Sequence, residues 1–283
     1  MRRLDTDMTD PIAVVGHYDR KGLTGSVSKA LADLGLDEGR ITSEDLAALD
    51  QFHSRGLIAT IDLAKAVAPA AGDVVLDIGS GLGGPSRYLA DAFGCSVEGV
   101  DLSPSYVEVA GYLAERMGLS DRVRYQVGNA LSLPFADGSF DIVWTQHVAM
   151  NISDRPGLYR EVARVLKPGG RFASYDVVAG EVSPIHFPVP WSAGPDTSFL
   201  LTKQQFRDVV IDQGFAVQSW IDRTEESIAW SLARAASAMN SPVKSMLGLS
   251  LAMGPDFSVM SRNLLYNLEE RRAAILEAVL LRR

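Results

Sequence analysis

The sequence predicts an α/β chain, built on a doubly wound, mostly parallel sheet with helices ahead of it and behind it. Three observations carry that prediction. Residues 74–84, VVLDIGSGLGG, place a β-branched apolar run, a glycine-rich turn and a helix start in immediate succession. Residues 96–101, SVEGVD, repeat the pattern: Ser103 and Pro104 behind them supply an N-cap and an N1 proline for the next helix. Further short apolar runs at 124–127, 141–145 and 172–175 alternate with turn-rich or helical stretches, the order that builds such a sheet.

Taken in order, residues 1–10 are polar and read as disordered, and 12–36 read as a short extended piece and then a helix over 27–34. Thr42 or Ser43 caps a helix carrying Leu46 and Leu49, and a further helix over 57–67 leads into the first strand. Asp77 interrupts that strand. A carboxylate there is costly unless it meets a donor or a cation, which points to a polar ligand at the strand's carboxyl end. Gly79, Gly81 and Gly83 alternate through the turn, free to take positive φ and without a Cβ to block a ligand. Asp101, ending the second strand, is placed to accept both hydroxyls of a ribose. The fourth strand ends in Gln146 and His147, at the edge where α/β sheets bind ligands. His147 is a candidate base or substrate ligand, the alternative being that it holds the adjoining loop.

A helix over 158–166 is stopped by Lys167-Pro168-Gly169-Gly170, and a fifth strand leads to Tyr175 and Asp176. Either residue binds substrate, or Asp176 caps the loop beyond. Residues 177–201, rich in proline and aromatics, form a long connection of the kind that carries function. Trp191 within it encloses a substrate or pins the loop. Thr202 caps a helix ended by Gly214, a sixth strand covers 215–221, and 225–238 and 256–282 read as helices. The apolar face of the last one covers the active site or a partner subunit, which leaves a homodimer open.

Composition narrows the function. The net charge of −8 gives no footprint for nucleic acid. The single cysteine, Cys95, reads as a packing residue and excludes an internal disulfide. No run of 18 apolar residues or leader signal is present, so no membrane partner and a cytoplasmic location are expected. The four histidines are widely spaced without a paired carboxylate motif, so no metal site is expected.

DIGSGLGG, followed by GVDLS, GNALSLPFADGSFDIVW and RVLKPGGRF, resembles the class I methyltransferases that use S-adenosylmethionine, over about residues 72–176 and more loosely to 220. LDQFHSRG, GSGLGGPSRYLA, TQHVAMNI and PVPW together resemble bacterial proteins grouped with sarcosine and dimethylglycine N-methyltransferases. The resemblance implies a helical lid over 1–68, an S-adenosylmethionine-binding core over 69–222 with a cap loop at 177–201, and a helical extension over 223–283. It implies cofactor contacts from Asp77, Gly79, Ser80, Gly81, Asp101, Leu102, Asn129, Ala130 and Gln146. Asn129 stands where many members have aspartate, and its amide still suits an adenine edge. Tyr18, in the HYD stretch, is implied to approach the methionine end of the cofactor, and with His147 and Asp176 makes the catalytic set. Gln51, His53, Asn151, Tyr175 and Trp191 are the substrate-side expectations. The implied reaction is methyl transfer to a small molecule, with N-methylation of an amine or amino acid leading. O- or C-methylation of a specialised metabolite follows, then a non-methylating cyclase or binding protein on the same scaffold.

Overall fold

The computed structural model describes residues 11–36, 38–240 and 247–283. The expectation of disorder over 1–10 falls outside them. Seven strands form one sheet: β1 (Val74–Ile78), β2 (Ser96–Asp101), β3 (Val123–Val127), β4 (Phe140–Gln146), β5 (Leu166–Ala179), β6 (Phe215–Asp222) and β7 (Ala273–Arg282), in the order β3-β2-β1-β4-β5-β7-β6. The first five are parallel, and β7 runs antiparallel to both β5 and β6. Strand order reverses between β1 and β4, so the crevice of this doubly wound sheet opens at the carboxyl ends of β1, β2 and β4.

Ahead of the sheet lie α1 (Pro11–Tyr18), α2 (Leu23–Asp33), α3 (Ser43–Asp50) and α4 (Leu57–Val67). Thr42 closes a capping box with Asp45 at the start of α3. Between strands run α5 (Gly84–Phe93), α6 (Pro104–Arg116), α7 (Arg155–Val165) and α8 (Lys203–Asp212). Behind β6 come α9 (Thr224–Asn240), α10 (Leu249–Met253) and α11 (Phe257–Glu269). Apolar side chains fill both faces. Val75, Ile142 and Trp144 pack toward α2–α6, and Leu76, Val143 and Phe172 toward α7 and α8.

As expected, α7 ends ahead of the lysine-proline-glycine-glycine turn, where Gly169 takes positive φ; the turn interrupts β5, with Leu166 paired to Phe140 and Arg171 to Ile142. Two expectations are corrected. The extended piece expected from residue 12 is helix α1. Residues 273–282 are a strand of the sheet rather than the end of a helix, so the helical extension expected over 223–283 does not hold as drawn. Ala273 through Leu280 are all buried, because a strand between two neighbours is covered on both faces and needs apolar side chains at every position. Such a run carries no alternation to separate it from a buried helix. Glu277 within it is fully buried and is held by the Arg223 guanidinium at 3.0 and 3.1 Å, a pair that positions the end of β6 against β7.

Candidate active site

The carboxyl ends of β1 and β4 and the turns behind them open into one cavity of about 1400 Å³, counted with its mouth. Its wall begins with the glycine turn. Gly79, Gly81 and Gly83 all take positive φ, and the Gly79 and Ser80 amides donate to the Val100 carbonyl, fastening the turn across β2. A Cβ on Gly79 would lie 2.3 Å from Val148, so the residue must be glycine for steric as well as conformational reasons.

Two carboxylates stand on this side. Asp101 accepts from the Gly81 amide at 2.8 Å and the Ser103 amide at 2.9 Å, which fixes its plane, while burial pushes its carboxyl up. Asp77 is 2% exposed and accepts from the Ser86 hydroxyl. Burial pushes its carboxyl up to about 7, with Asp101 adding to the rise and Ser86 and Arg87 opposing it. Neither is in an ion pair, so this wall favours a cation and hydroxyl donors. Leu102, Asn129, Ala130 and Leu131 continue it, with the Asn129 side-chain Oδ1 already accepting from the Leu131 amide.

At the end of β4, Gln146 is locked through its Oε1, which accepts from Trp144 Nε1 at 3.0 Å and Thr60 at 3.2 Å. His147 follows at φ +53°, a left-handed conformation rare outside glycine and often found at functional sites. Its amide donates to the Tyr175 carbonyl, its ring stacks on Tyr175 at 5.7 Å, and the His53 ring meets it edge-on at 6.1 Å. Burial first, then His53, holds its pKa well below the usual imidazole value, so the ring is neutral. Ser80 Oγ, Gln146 Nε2 and His147 Nε2 are buried cavity-lining polar atoms with no hydrogen-bond partner among the described residues. Such atoms are costly to leave unpaired and suit a polar ligand.

Opposite stands a linked trio. The Tyr18 hydroxyl donates to Asn151 Oδ1 at 3.2 Å, and Asn151 Nδ2 donates to the Trp191 and Thr197 carbonyls. One asparagine thus joins α1, the turn after β4 and the cap loop. Burial, then Asp101 and Asp176, raises the Tyr18 phenol far above its ordinary value, so it remains protonated. His53 lines the cavity with its Nε2 spent on the Gly56 carbonyl and Thr60, and burial lowers its pKa to about 4.

Three expected site residues do not reach the cavity wall. Tyr175 is fully buried, its hydroxyl between Ser54 and Ser227. Asp176 accepts from the Val148 and Ala149 amides, so it braces the turn that carries His147, and burial pushes its carboxyl up to about 6. Gln51 binds Thr60 beneath the wall. Sequence reasoning missed the apolar cover: Val14 and Val15 from α1, and Leu249, Met253 and Phe257 from α10 and α11. Nothing in their local pattern separates them from packing residues. It also missed Asp50, buried against Arg87 at 2.6 Å, whose carboxyl burial pushes up to about 6.

Fold and site together define an α/β protein with a cavity at the carboxyl edge of its sheet, where two buried carboxylates stand beside the glycine turn. Residues 76–174 match the methyltransferase domain family. That segment carries a methyltransferase domain. The chain is similar to the methyltransferase GfsG of Streptomyces halstedii, 39% identical over 47% of this chain and 48% of that one. It is also similar to a probable tocopherol O-methyltransferase of Oryza sativa, 42% identical over 42% and 34%. A third relative is a sterol 24-C-methyltransferase of Gibberella zeae, 39% identical over 40% and 30%. The chain spans about half or less of the length of these curated relatives. Among solved structures, geranyl diphosphate C-methyltransferase of Streptomyces coelicolor superposes with a TM-score of 0.69 at 18% identity, over 96% of this chain and 98% of that one. A sarcosine dimethylglycine methyltransferase described for Galdieria sulphuraria gives 0.64 at 19%, over 80% and 84%. At these identities the likeness is one of fold.

Proposed function

We propose that this chain binds S-adenosylmethionine in the cavity and transfers its methyl group to a small-molecule acceptor. The observation that carries the proposal is the pair of buried carboxylates, Asp77 and Asp101, beside a glycine turn, in one cavity with buried polar atoms that have no hydrogen-bond partner among the described residues. The residues fit the group. Asp101 is the acceptor for ribose hydroxyls, Asp77 faces the ammonium, Gly79 and Gly81 allow close backbone approach, and Asn129, Ala130 and Leu131 flank the base. Ser80 and Gln146 supply the remaining donors. When bound, the sulfonium supplies an electrophilic methyl group; the chain's part is to align donor and acceptor, exclude water and, where required, take a proton. Tyr18, His53, Asn151 and Trp191 bound the acceptor side, and α1 with α10 closes over it. The amine expectation is carried by sequence resemblance, while two of the three curated relatives above are named for oxygen and carbon transfer.

The test is titration calorimetry with S-adenosylmethionine and S-adenosylhomocysteine, followed by an assay for S-adenosylhomocysteine formed in the presence of acceptor collections. Saturable binding of both ligands with acceptor-dependent product is expected. Failure of either ligand to bind the folded protein overturns the proposal.

A further inference from the structure

Among the described residues no lysine or arginine lines the cavity at all, and its three carboxylates, Asp50, Asp77 and Asp101, lie with the glycine turn or against Arg87. Arg20, beside the cover, is tied to the Met253 carbonyl. The rest of the acceptor side is apolar, including Val14, Val15, Met150, Pro190, Trp191 and Met253. A carboxylate or phosphate bound there would lose its hydration with no cation to replace it, and an ammonium would meet no free carboxylate.

The polar groups on that side are almost all spent. Tyr18 and Asn151 satisfy each other and the cap loop, and His53 Nε2 is held by Gly56 and Thr60. His147 Nε2 alone among the side chains discussed there is buried and unpartnered on an unprotonated ring. In the tautomer that carries its proton on Nδ1, this nitrogen is a free acceptor and pairs with an O–H donor.

We propose that the acceptor is an uncharged, largely apolar molecule methylated on a hydroxyl oxygen that hydrogen-bonds to His147 Nε2. The inference rests on the proposed methyl transfer and names its substrate class. In the reaction the hydroxyl oxygen forms the new C–O bond to the methyl group. The C–S bond breaks with its electron pair returning to sulfur, and the hydroxyl proton passes to His147 Nε2, later to be lost to solvent. Reactants and products balance without a further co-reactant: sulfonium and alcohol become thioether, methyl ether and one proton. The same wall disfavours amino acids and phosphorylated acceptors, whose anionic groups would go unpaired.

The test uses protein saturated with S-adenosylhomocysteine and three probes on one ring: 2-naphthol, 2-naphthoate and 2-naphthylmethylammonium. Dissociation constants are read by calorimetry at neutral pH. The expected result is that 2-naphthol binds about tenfold or more tightly than either charged probe, a step of about 1.4 kcal/mol. Equal or tighter binding of the carboxylate or the ammonium overturns the inference, as does absence of naphthol binding. Each of those results leaves S-adenosylhomocysteine binding intact, whereas loss of that first binding step overturns the proposed function itself.

Discussion

Ligand binding should expel a proton from Asp77. Its carboxyl, buried and without an ion-pair partner among the described residues, is pushed up to about 7, so a share of the molecules carries it protonated at neutral pH. An ammonium brought against it favours the charged form and returns the pKa toward the ordinary carboxylate range. The expected release is a fraction of a proton per site at pH 7, larger at pH 6 and smaller at pH 8. Asp101, also raised by burial, adds to this in the same direction. The assay is the binding enthalpy of S-adenosylhomocysteine measured in phosphate and in Tris, whose ionisation enthalpies differ; the slope against ionisation enthalpy gives the protons released. Asp77→Asn should remove most of the slope at pH 7. A slope of zero at both pH 6 and pH 7 in the wild-type protein would refute the reasoning that the carboxylate is unpaired and faces the ligand's cation.

Two further outcomes are expected. Asp101→Ala removes two charge-assisted bonds to ribose, each worth about 1.5–3 kcal/mol, and so weakens S-adenosylhomocysteine binding at least about a hundredfold; because it also strips the Gly81 and Ser103 amides of their acceptor, the melting temperature is read in parallel, and an unchanged dissociation constant in a folded variant removes the ribose assignment. His147→Asn keeps a residue that tolerates the +53° φ while removing the imidazole. Turnover of a hydroxyl acceptor should fall by about 10²–10⁴, with S-adenosylhomocysteine affinity nearly unchanged, and wild-type turnover in that variant would take His147 out of proton transfer.

The glycine-turn side of the cavity was legible because local chemistry dictates it. A turn that must take positive φ three times needs glycine at 79, 81 and 83, and a carboxylate interrupting an apolar strand at 77 is anomalous within a few residues of sequence. The acceptor half was less legible. Tyr175 and Asp176 follow one another at the end of a strand, where a sequence reading sends both to the cavity edge. Alternation along β5 and the packing of Ser54 and Ser227 instead bury the tyrosine, and the turn after β4 claims the aspartate. The cover residues come from chain segments before and after the sheet, and only their docking makes them a wall.

The sequence by itself determined the doubly wound architecture, the order of the first five strands' motifs and the acidic, glycine-lined edge, since each follows from short-range patterns of φ preference, β-branching and capping. It did not determine that 273–282 is the sheet's interior strand. That assignment depends on partners on both sides, β5 and β6, and on Arg223 reaching a glutamate 54 positions away. Nor did it determine which of the polar side chains near the edge remain unpartnered. Tertiary packing decided that, because hydrogen bonds between distant residues consumed Tyr18, Asn151 and Asp176 and left His147 with a free nitrogen.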